Sequence, residues 1–466
     1  MYISSTRRNP PAPAVSVASA NSASPAGSAG PAGSASSAGL ADLADLADSA
    51  EIAEAAPARA DAASRPVPGR TRVAVAPNVL ALGSVSLVTD ISSEMITAVL
   101  PMYVIFTLGL SPLQFGELNG LYFGITALVR LAGGHAADRW QRRKLVAGSG
   151  YALSAVCKLG LLAAGSSVSA LGAVIAADRT GKGLRTGPRD ALISLSSTPE
   201  TLGRSFGVHR ALDTVGAFLG PLAAFGLLLA TPNHYDTVFV ASFCIASFAV
   251  VMLALLVRDR TEKVDQGNPV SLGAALRLLL LPRFRRVCIA ALLLGVVALS
   301  DSFVYLLLQQ RLDISAEYFP LLPLGTTAGY LLLAVPFGQL ADRVGRIRVF
   351  VGGYVALLCA YLMLFGPVGG VVLLVPTLAL HGLFYAATDG VLMAAVGPML
   401  PVHLRASGIA LIQTGQSVAL LASSVLFGAA WDRWGLHAAL ALAVTSLAAA
   451  ILAALWILPL AKESNT

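Results

Sequence analysis

"DRTGKGLRTGPRDALI", residues 178–193, places six charged side chains among sixteen residues, with Gly-Lys at its centre. It reads either as a phosphate-binding loop or as a charged helix. A phosphate loop of the G-x-x-x-x-G-K-[ST] type needs a glycine five residues before the Gly-Lys glycine and a hydroxyl residue after the lysine. Those positions are Ala176 and Gly183, and no strand-like segment precedes them, so the nucleotide reading fails. As a helix the stretch is coherent. Asp178, Lys182, Arg185 and Arg189 are spaced four, three and four, which sets them on one face.

The surroundings decide where such a helix sits. Of 466 residues, 56% are hydrophobic and only 12% are charged, with a mean hydropathy of +0.74. Soluble domains carry roughly 25% charged residues, so the chain reads as a polytopic membrane protein. A membrane-crossing helix needs about 20 mostly apolar residues. Twelve such runs lie near 78–108, 117–137, 144–165, 168–195, 205–230, 237–257, 285–309, 319–341, 349–366, 370–398, 406–430 and 437–461. With the N-terminus inside, the basic residues of the loops fall almost entirely on one side, and only Arg311 and Arg433 fall on the other. By the positive-inside rule both termini are cytoplasmic, in the inner or plasma membrane. The net charge of +7 is then loop bias, and no nucleic-acid partner is expected. Cys157, Cys244, Cys288 and Cys359 sit in separate apolar runs without metal-ligand spacing, so no metal or other cofactor is expected. Residues 1–72 are rich in Ala, Ser, Gly and Pro and predict a disordered cytoplasmic tail. No apolar stretch follows Arg7 and Arg8, so no cleaved leader is expected.

The runs divide into a bundle over 73–257, a basic linker over 258–284, a second bundle over 285–461 and a short tail over 462–466. The bundles repeat: "GGHAADRWQRRK" (133–144) returns as "GQLADRVGRIR" (338–348), and "GRSFG" (203–207) returns as "LRASG" (404–408). The chain from about 78 to 461 therefore resembles the major facilitator superfamily, whose loop signature is G-x-L-A-D-R-x-G-R-K. The second copy keeps Gly338, Asp342, Arg343, Gly345 and Arg346; the first keeps Gly134, Asp138, Arg139 and Arg142, with Ala136 and Gln141 replacing the usual Leu and Gly. The resemblance implies an all-α membrane protein of twelve transmembrane helices in two pseudo-symmetric six-helix bundles. It also implies that the loops latch the bundles on the cytoplasmic side. "GAFLGPLAAF" (216–225) resembles the antiporter signature of the family in Gly216, Gly220 and Pro221, with Ala224 and Phe225 in place of the final glycines. Arg179 and Gly183 fit the fourth-helix signature R-x-x-x-G, where the arginine is implicated in proton transfer or substrate contact. The whole stretch resembles a bacterial permease branch with an R-x-G-K-G-x-R-x-x-P-R-D-A-L helix.

On this topology Arg179 lies about 18 Å into the fourth segment at 1.5 Å per residue. Ionised groups at that depth cost at least roughly 2.5–3.5 kcal/mol each, so the stripe must face charges or water. Pro188 and the glycines at 181, 183 and 187 are expected to loosen this helix. In the first segment Asp90 and Glu94 are i, i+4 and share a face. Carboxylates beside buried cations titrate near neutral pH when desolvation and pairing compete, so Asp90, Glu94 and Arg179 are the proton-coupling candidates. Lys182, Arg185, Asp301, Tyr385, Asp389 and Gln413 are substrate-cavity candidates. Arg189, Asp190, Arg210 and Asp213 read as an ion-pair network near the inner surface. His209 and His381 read as core histidines. The expected activity is secondary transport of small molecules, as a monomer in the bilayer, by proton-coupled efflux with alternating access. The alternative is a carrier of anionic metabolites using Arg179, Lys182 and Arg185. Nothing in the chain resembles an enzyme's nucleophile and base.

Overall fold

The computed structural model describes residues 75–140, 142–198, 201–259, 276–401 and 404–458, and for 127, 128, 130–140 and 406 it describes the backbone alone. The low-complexity tail (1–72), most of the linker and the final tail lie outside the described residues.

The described chain is helical throughout. The first bundle contains α1 (Pro77–Met102), α2 (Pro112–Trp140), α3 (Arg143–Ala164), α4 (Val168–Leu195), α5 (Leu202–Ala230) and α6 (Tyr235–Leu256). Then follow α7 (Pro282–Val297), α8 (Asp301–Leu312), α9 (Leu322–Val344), α10 (Arg346–Phe365), α11 (Val371–Val396) and α12 (Arg405–Ile457). Local chemistry sets several ends. Pro77 occupies the first turn of α1, where its missing N–H costs nothing. Ser167 caps α4 by accepting from the Ala170 amide. Gly345, at φ 110°, turns the chain between α9 and α10, a conformation open to glycine.

Nine segments among the described residues are long and apolar enough to cross a membrane. The longest, Ser407–Ile457, contains a break at Gly435 (φ 81°, ψ 165°), which splits α12 into arms over 405–434 and 436–457, as the two apolar runs predict. α2 and α4 have full membrane length and are diluted only by polar side chains.

The seventh apolar run departs from expectation. It is broken at Ala298–Ser300, where the backbone is extended, and α8 restarts at Asp301. The freed groups are satisfied from outside the helix. The Leu299 amide donates to Tyr361 Oη at 2.6 Å, Ser423 donates to the Ala298 carbonyl, and Asn119 Nδ2 donates to Ser300 Oγ at 2.7 Å. Irregular backbone at membrane depth survives only where protein supplies such partners. α4 departs in the other direction: it runs unbroken through Pro188, so its glycines do not loosen it.

In the first bundle α1 packs on α5 and α6, and α4 lies between α2 and α3. In the second, α11 packs on α9 and α10, and α7 on α12. α2 and the first arm of α12 join the bundles. A Cβ at Gly116 would stand 2.3 Å from the Ser424 carbonyl oxygen, so only glycine permits that approach. Beside it Phe115 and Phe427 pack edge-on to Phe303 with centroids 5.0 and 4.9 Å away. These contacts lie at the start of α2, the end remote from the basic loop at 342–348.

Candidate functional site

α4 carries the expected charges, and the structure shows how they are neutralised. Its glycine at 181 meets Gly150 of α3: a Cβ on Gly181 would lie 2.7 Å from the Gly150 carbonyl oxygen. A Cβ on Gly183 would strike Val129 of α2. These glycines serve close helix approach, which brings the α4 side chains within reach of neighbouring helices.

The charges form a ladder. Asp178 accepts from Arg179 Nε and Nη2 and from Ser154 Oγ, and Lys158 Nζ stands 3.5 Å away. The Arg179 guanidinium also lies over the Tyr122 ring, 4.0 Å from its centroid, a cation–π contact. One turn and a half further, Arg185 Nη2 is 3.5 Å from Asp90 Oδ1, an ion pair rather than a tight hydrogen bond. Its guanidinium lies 4.6 Å from the Tyr151 ring centroid. Arg189 pairs with Asp190 at 3.0 Å and Asp213 at 3.8 Å, and His209 Nε2 is 3.4 Å from Asp213 Oδ2. The expected network of Arg189, Asp190 and Asp213 is thus brought together, and Arg210 lies half-buried on the same helix as Asp213.

The proton-coupling candidates Asp90 and Arg179 are not paired with each other. Asp90 pairs with Arg185, not with Arg179 or Lys182, and Arg179 is bound by its own neighbour Asp178. Arg185 is sealed, with a side chain 2% exposed against 18% for Asp90, so the open cavity wall is not its place. Lys182 has no carboxylate within 4 Å among the described residues and lies within electrostatic reach of Asp90 and Glu94. Glu94 in turn feels Lys182, Asp90, Arg179 and Lys158. Lys158, fully embedded in α3, was not singled out from the sequence. A lone lysine inside an apolar run was the signal. Tyr122 and Tyr151 left no signal of that kind.

The helix-five glycines pack on the carboxylate face. A Cβ on Gly216 would lie 2.5 Å from the Leu87 carbonyl oxygen, and one on Gly220 would lie 2.6 Å from Glu94 Cβ. α5, with Pro221 inside it, therefore holds the Leu87–Glu94 stretch of α1 against itself.

The second bundle gathers a smaller group at the break between α7 and α8. Asp301 begins α8, Tyr385 donates to its carboxylate, and His381 Nε2 lies 3.5 Å from Asp301 Oδ1. Thr326 Oγ1 is 3.5 Å from His381 Nδ1. Asp389 lies within electrostatic reach of Asp301, and one of its carboxylate oxygens is buried without a hydrogen bond. Gln413 is half-buried on α12. A small cavity of about 30 Å³ is lined by first-bundle residues, among them Thr97, Asn119, Tyr122 and Ile175, with Ser302 of α8 closing it.

In the second loop signature, Asp342 pairs with Arg346 at 2.9 Å, and Arg346 Nη1 donates to the Ala394 carbonyl at 2.7 Å. Both partners belong to the second bundle. Arg343 is exposed, as is Arg142 of the first copy. Gly134 lies in the last turns of α2, and the side chains of Asp138 and Arg139 lie outside the described residues.

A paired-bundle, all-helical membrane protein with buried charge on facing helices is the architecture of secondary transporters. The chain matches the family described as Major Facilitator Superfamily over residues 82–329 and 298–466, and it belongs to that family. An uncharacterised transporter of the same type from Methanocaldococcus jannaschii is 31% identical over 369 residues, covering 76% of this chain and 88% of the relative. An uncharacterised protein of Mycobacterium tuberculosis is 27% identical over 361 residues, covering 76% and 86%. Among solved structures the nucleoside transporter NupG superposes with a TM-score of 0.70 at 15% identity, over 83% of this chain and 99% of NupG. A bacterial homologue of the human lysosomal transporter Spinster, in an inward-facing and occupied conformation, gives 0.62 at 16%, over 81% and 96%. At these identities the superpositions speak to fold alone. The chain is a multi-pass membrane transporter of this superfamily.

Proposed function

We propose that the protein is a proton-coupled exporter of small molecules in the cytoplasmic membrane, working as a monomer with both termini inside. The observation that carries this reading is the Asp90–Arg185 pair. Its carboxylate is partly accessible and its guanidinium is sealed, so a proton reaches the anion while the cation stays behind. Protonating Asp90 leaves Arg185 buried with Nε and Nη1 already lacking partners. An uncompensated buried charge costs several kcal/mol, and that cost drives the bundles toward the alternative facing state. Glu94 and Lys182, one turn along, form the second step of the same relay. Gly216, Gly220 and Pro221 resemble the antiporter signature, which supports export, and Gly216 and Gly220 pack on the α1 stretch that carries both carboxylates. The fourth-helix likeness to a bacterial permease branch supports the transport reading. The bundles of 73–257 and 285–461 rock about the site, and the loops at Asp138 and Asp342 latch them when they close.

The anion-carrier alternative retains one observation: Lys182 has no carboxylate within 4 Å among the described residues. Reconstituted vesicles loaded with a pH-sensitive dye separate the two. Proton entry driven by an outward gradient of a candidate compound supports the exporter. Flux of organic anions with no proton movement replaces it with the carrier.

A further inference from the structure

The second bundle neutralises its buried carboxylates incompletely. Asp301 and Asp389 have no lysine or arginine within ion-pair distance among the described residues, and His381 supplies at most one positive charge for the two. His381 is fully buried, with Nε2 directed at Asp301 and making no hydrogen bond. His381, Tyr385 and Asp389 are spaced four and four along α11, so they present one stripe. Aromatic rings surround it. Tyr305 packs edge-on to His381 at 6.1 Å, His381 lies 5.3 Å from Tyr385, and Tyr385 lies 5.1 Å from Phe384. Carboxylates set among aromatic faces are the chemistry that recognises ammonium groups, through charge and through ring quadrupoles. The Tyr385 hydroxyl donates to Asp301 where an N–H of such a group would donate. Ser302, the residue after Asp301, lines the small cavity against α1, α2 and α4.

We propose that Asp301, His381, Tyr385 and Asp389 form a recognition site for a protonated amine or comparable organic cation, which makes cationic amphiphiles the substrate class of the exporter. The inference rests on the transport reading above and adds its specificity. Tyr385 caps Asp301 when the site is empty and swings off when a cation arrives. A cation entering a site whose carboxylate carries a proton displaces that proton, so substrate and proton compete for the same negative charge.

The test uses the full chain in lipid nanodiscs. Tetraphenylphosphonium and tetraphenylborate have nearly the same size and opposite charge. Saturable tetraphenylphosphonium binding is expected, with tetraphenylborate at least about tenfold weaker, a difference of roughly 1.4 kcal/mol. Asp301→Asn and Asp389→Asn should each weaken the cation by a similar factor and abolish the proton release that accompanies its binding in weak buffer. Tyr385→Phe, which removes the competing donor, should tighten it a few-fold; a merely structural tyrosine would not act in that direction. Should Asp301→Asn fail to elute as a single species, Asp389→Asn and Tyr385→Phe decide the matter. Equal or tighter tetraphenylborate binding overturns the proposal, as does cation binding unchanged in Asp389→Asn and not tightened in Tyr385→Phe. Binding requires no transport, so its loss leaves proton-coupled export standing. Absence of proton movement with cation binding intact sinks only the coupling.

Discussion

α4 and α11 both carry ionisable side chains deep into the bundle, yet they neutralise them differently. On α4 the arginines each find a carboxylate: Arg179 has Asp178, Arg185 has Asp90, and Arg189 has Asp190 and Asp213. Beside α11 Asp301 has the Tyr385 hydroxyl and the His381 imidazole, Asp389 on α11 keeps a carboxylate oxygen buried without a hydrogen bond, and neither has a lysine or arginine within ion-pair distance among the described residues. The first arrangement is a chain of pairs in which moving one proton unbalances one cation. The second holds carboxylates that a proton and a cationic ligand occupy in turn. One bundle thus ties each proton to a cation of its own, and the other leaves its carboxylates for a positive partner from outside.

The contrast breaks most visibly in stability. Asp178→Asn strands both Arg179 and Lys158, each at most 5% exposed. Removing one member of a buried pair costs about 3–5 kcal/mol. Asp301→Asn keeps a hydrogen-bond acceptor for Tyr385 and strands no lysine or arginine, so its cost should stay within about 0.5–1.5 kcal/mol. Thermal unfolding of the two variants in one detergent compares them directly, and equal losses would erase the distinction between the bundles.

A smaller effect sharpens the same contrast by geometry. Gly220→Val must push α5 off α1 at Glu94, because even a Cβ there would sit 2.6 Å from the Glu94 Cβ. Overpacking of this kind costs about 1–3 kcal/mol. Gly226→Val, six residues along α5 with nothing within 4 Å of its Cβ, is the control and should unfold near the wild-type temperature. Proton-driven transport should fall in Gly220→Val and persist in the control.

The smallest effect belongs to the loop. Arg346 and Asp342 are 33% and 44% exposed, and an exposed i, i+4 pair contributes no more than about 0.5 kcal/mol. Arg346→Gln should leave the unfolding temperature within a degree or two of wild type, while Asp178→Asn does not. A large loss in Arg346→Gln would show that the contact with the Ala394 carbonyl, rather than the ion pair, holds α9 and α10 to α11.

Much of the fold was legible because the bilayer leaves few choices. An apolar run of the right length becomes a helix, and the Gly435 break falls between two such runs. The break at Ala298–Ser300 was hidden because the residues around it are as apolar as a continuous helix requires. Its trace is local: Ser300 followed by Asp301 is a helix-start pair, set inside a run whose composition argued for continuity. Helical spacing placed Asp90 with Glu94, and Asp178 with Lys182, Arg185 and Arg189. It could not choose partners, since periodicity defines a face without defining which neighbouring helix that face meets. Asp90 therefore pairs with Arg185 and not with Arg179. The glycines of α4 show the same limit: composition suggested flexibility, and packing against Gly150 and Val129 made them close-contact positions.

The central claim is that protonation of Asp90 is what Arg185 registers. The most direct measurement compares wild type with Asp90→Asn in dye-loaded vesicles, recording proton movement and counterflow of one transported compound on the same preparation. The account predicts that Asp90→Asn keeps counterflow, which needs no net proton movement, and loses substrate-driven proton movement. Proton movement in Asp90→Asn equal to wild type would contradict it and reduce the Asp90–Arg185 pair to a structural contact.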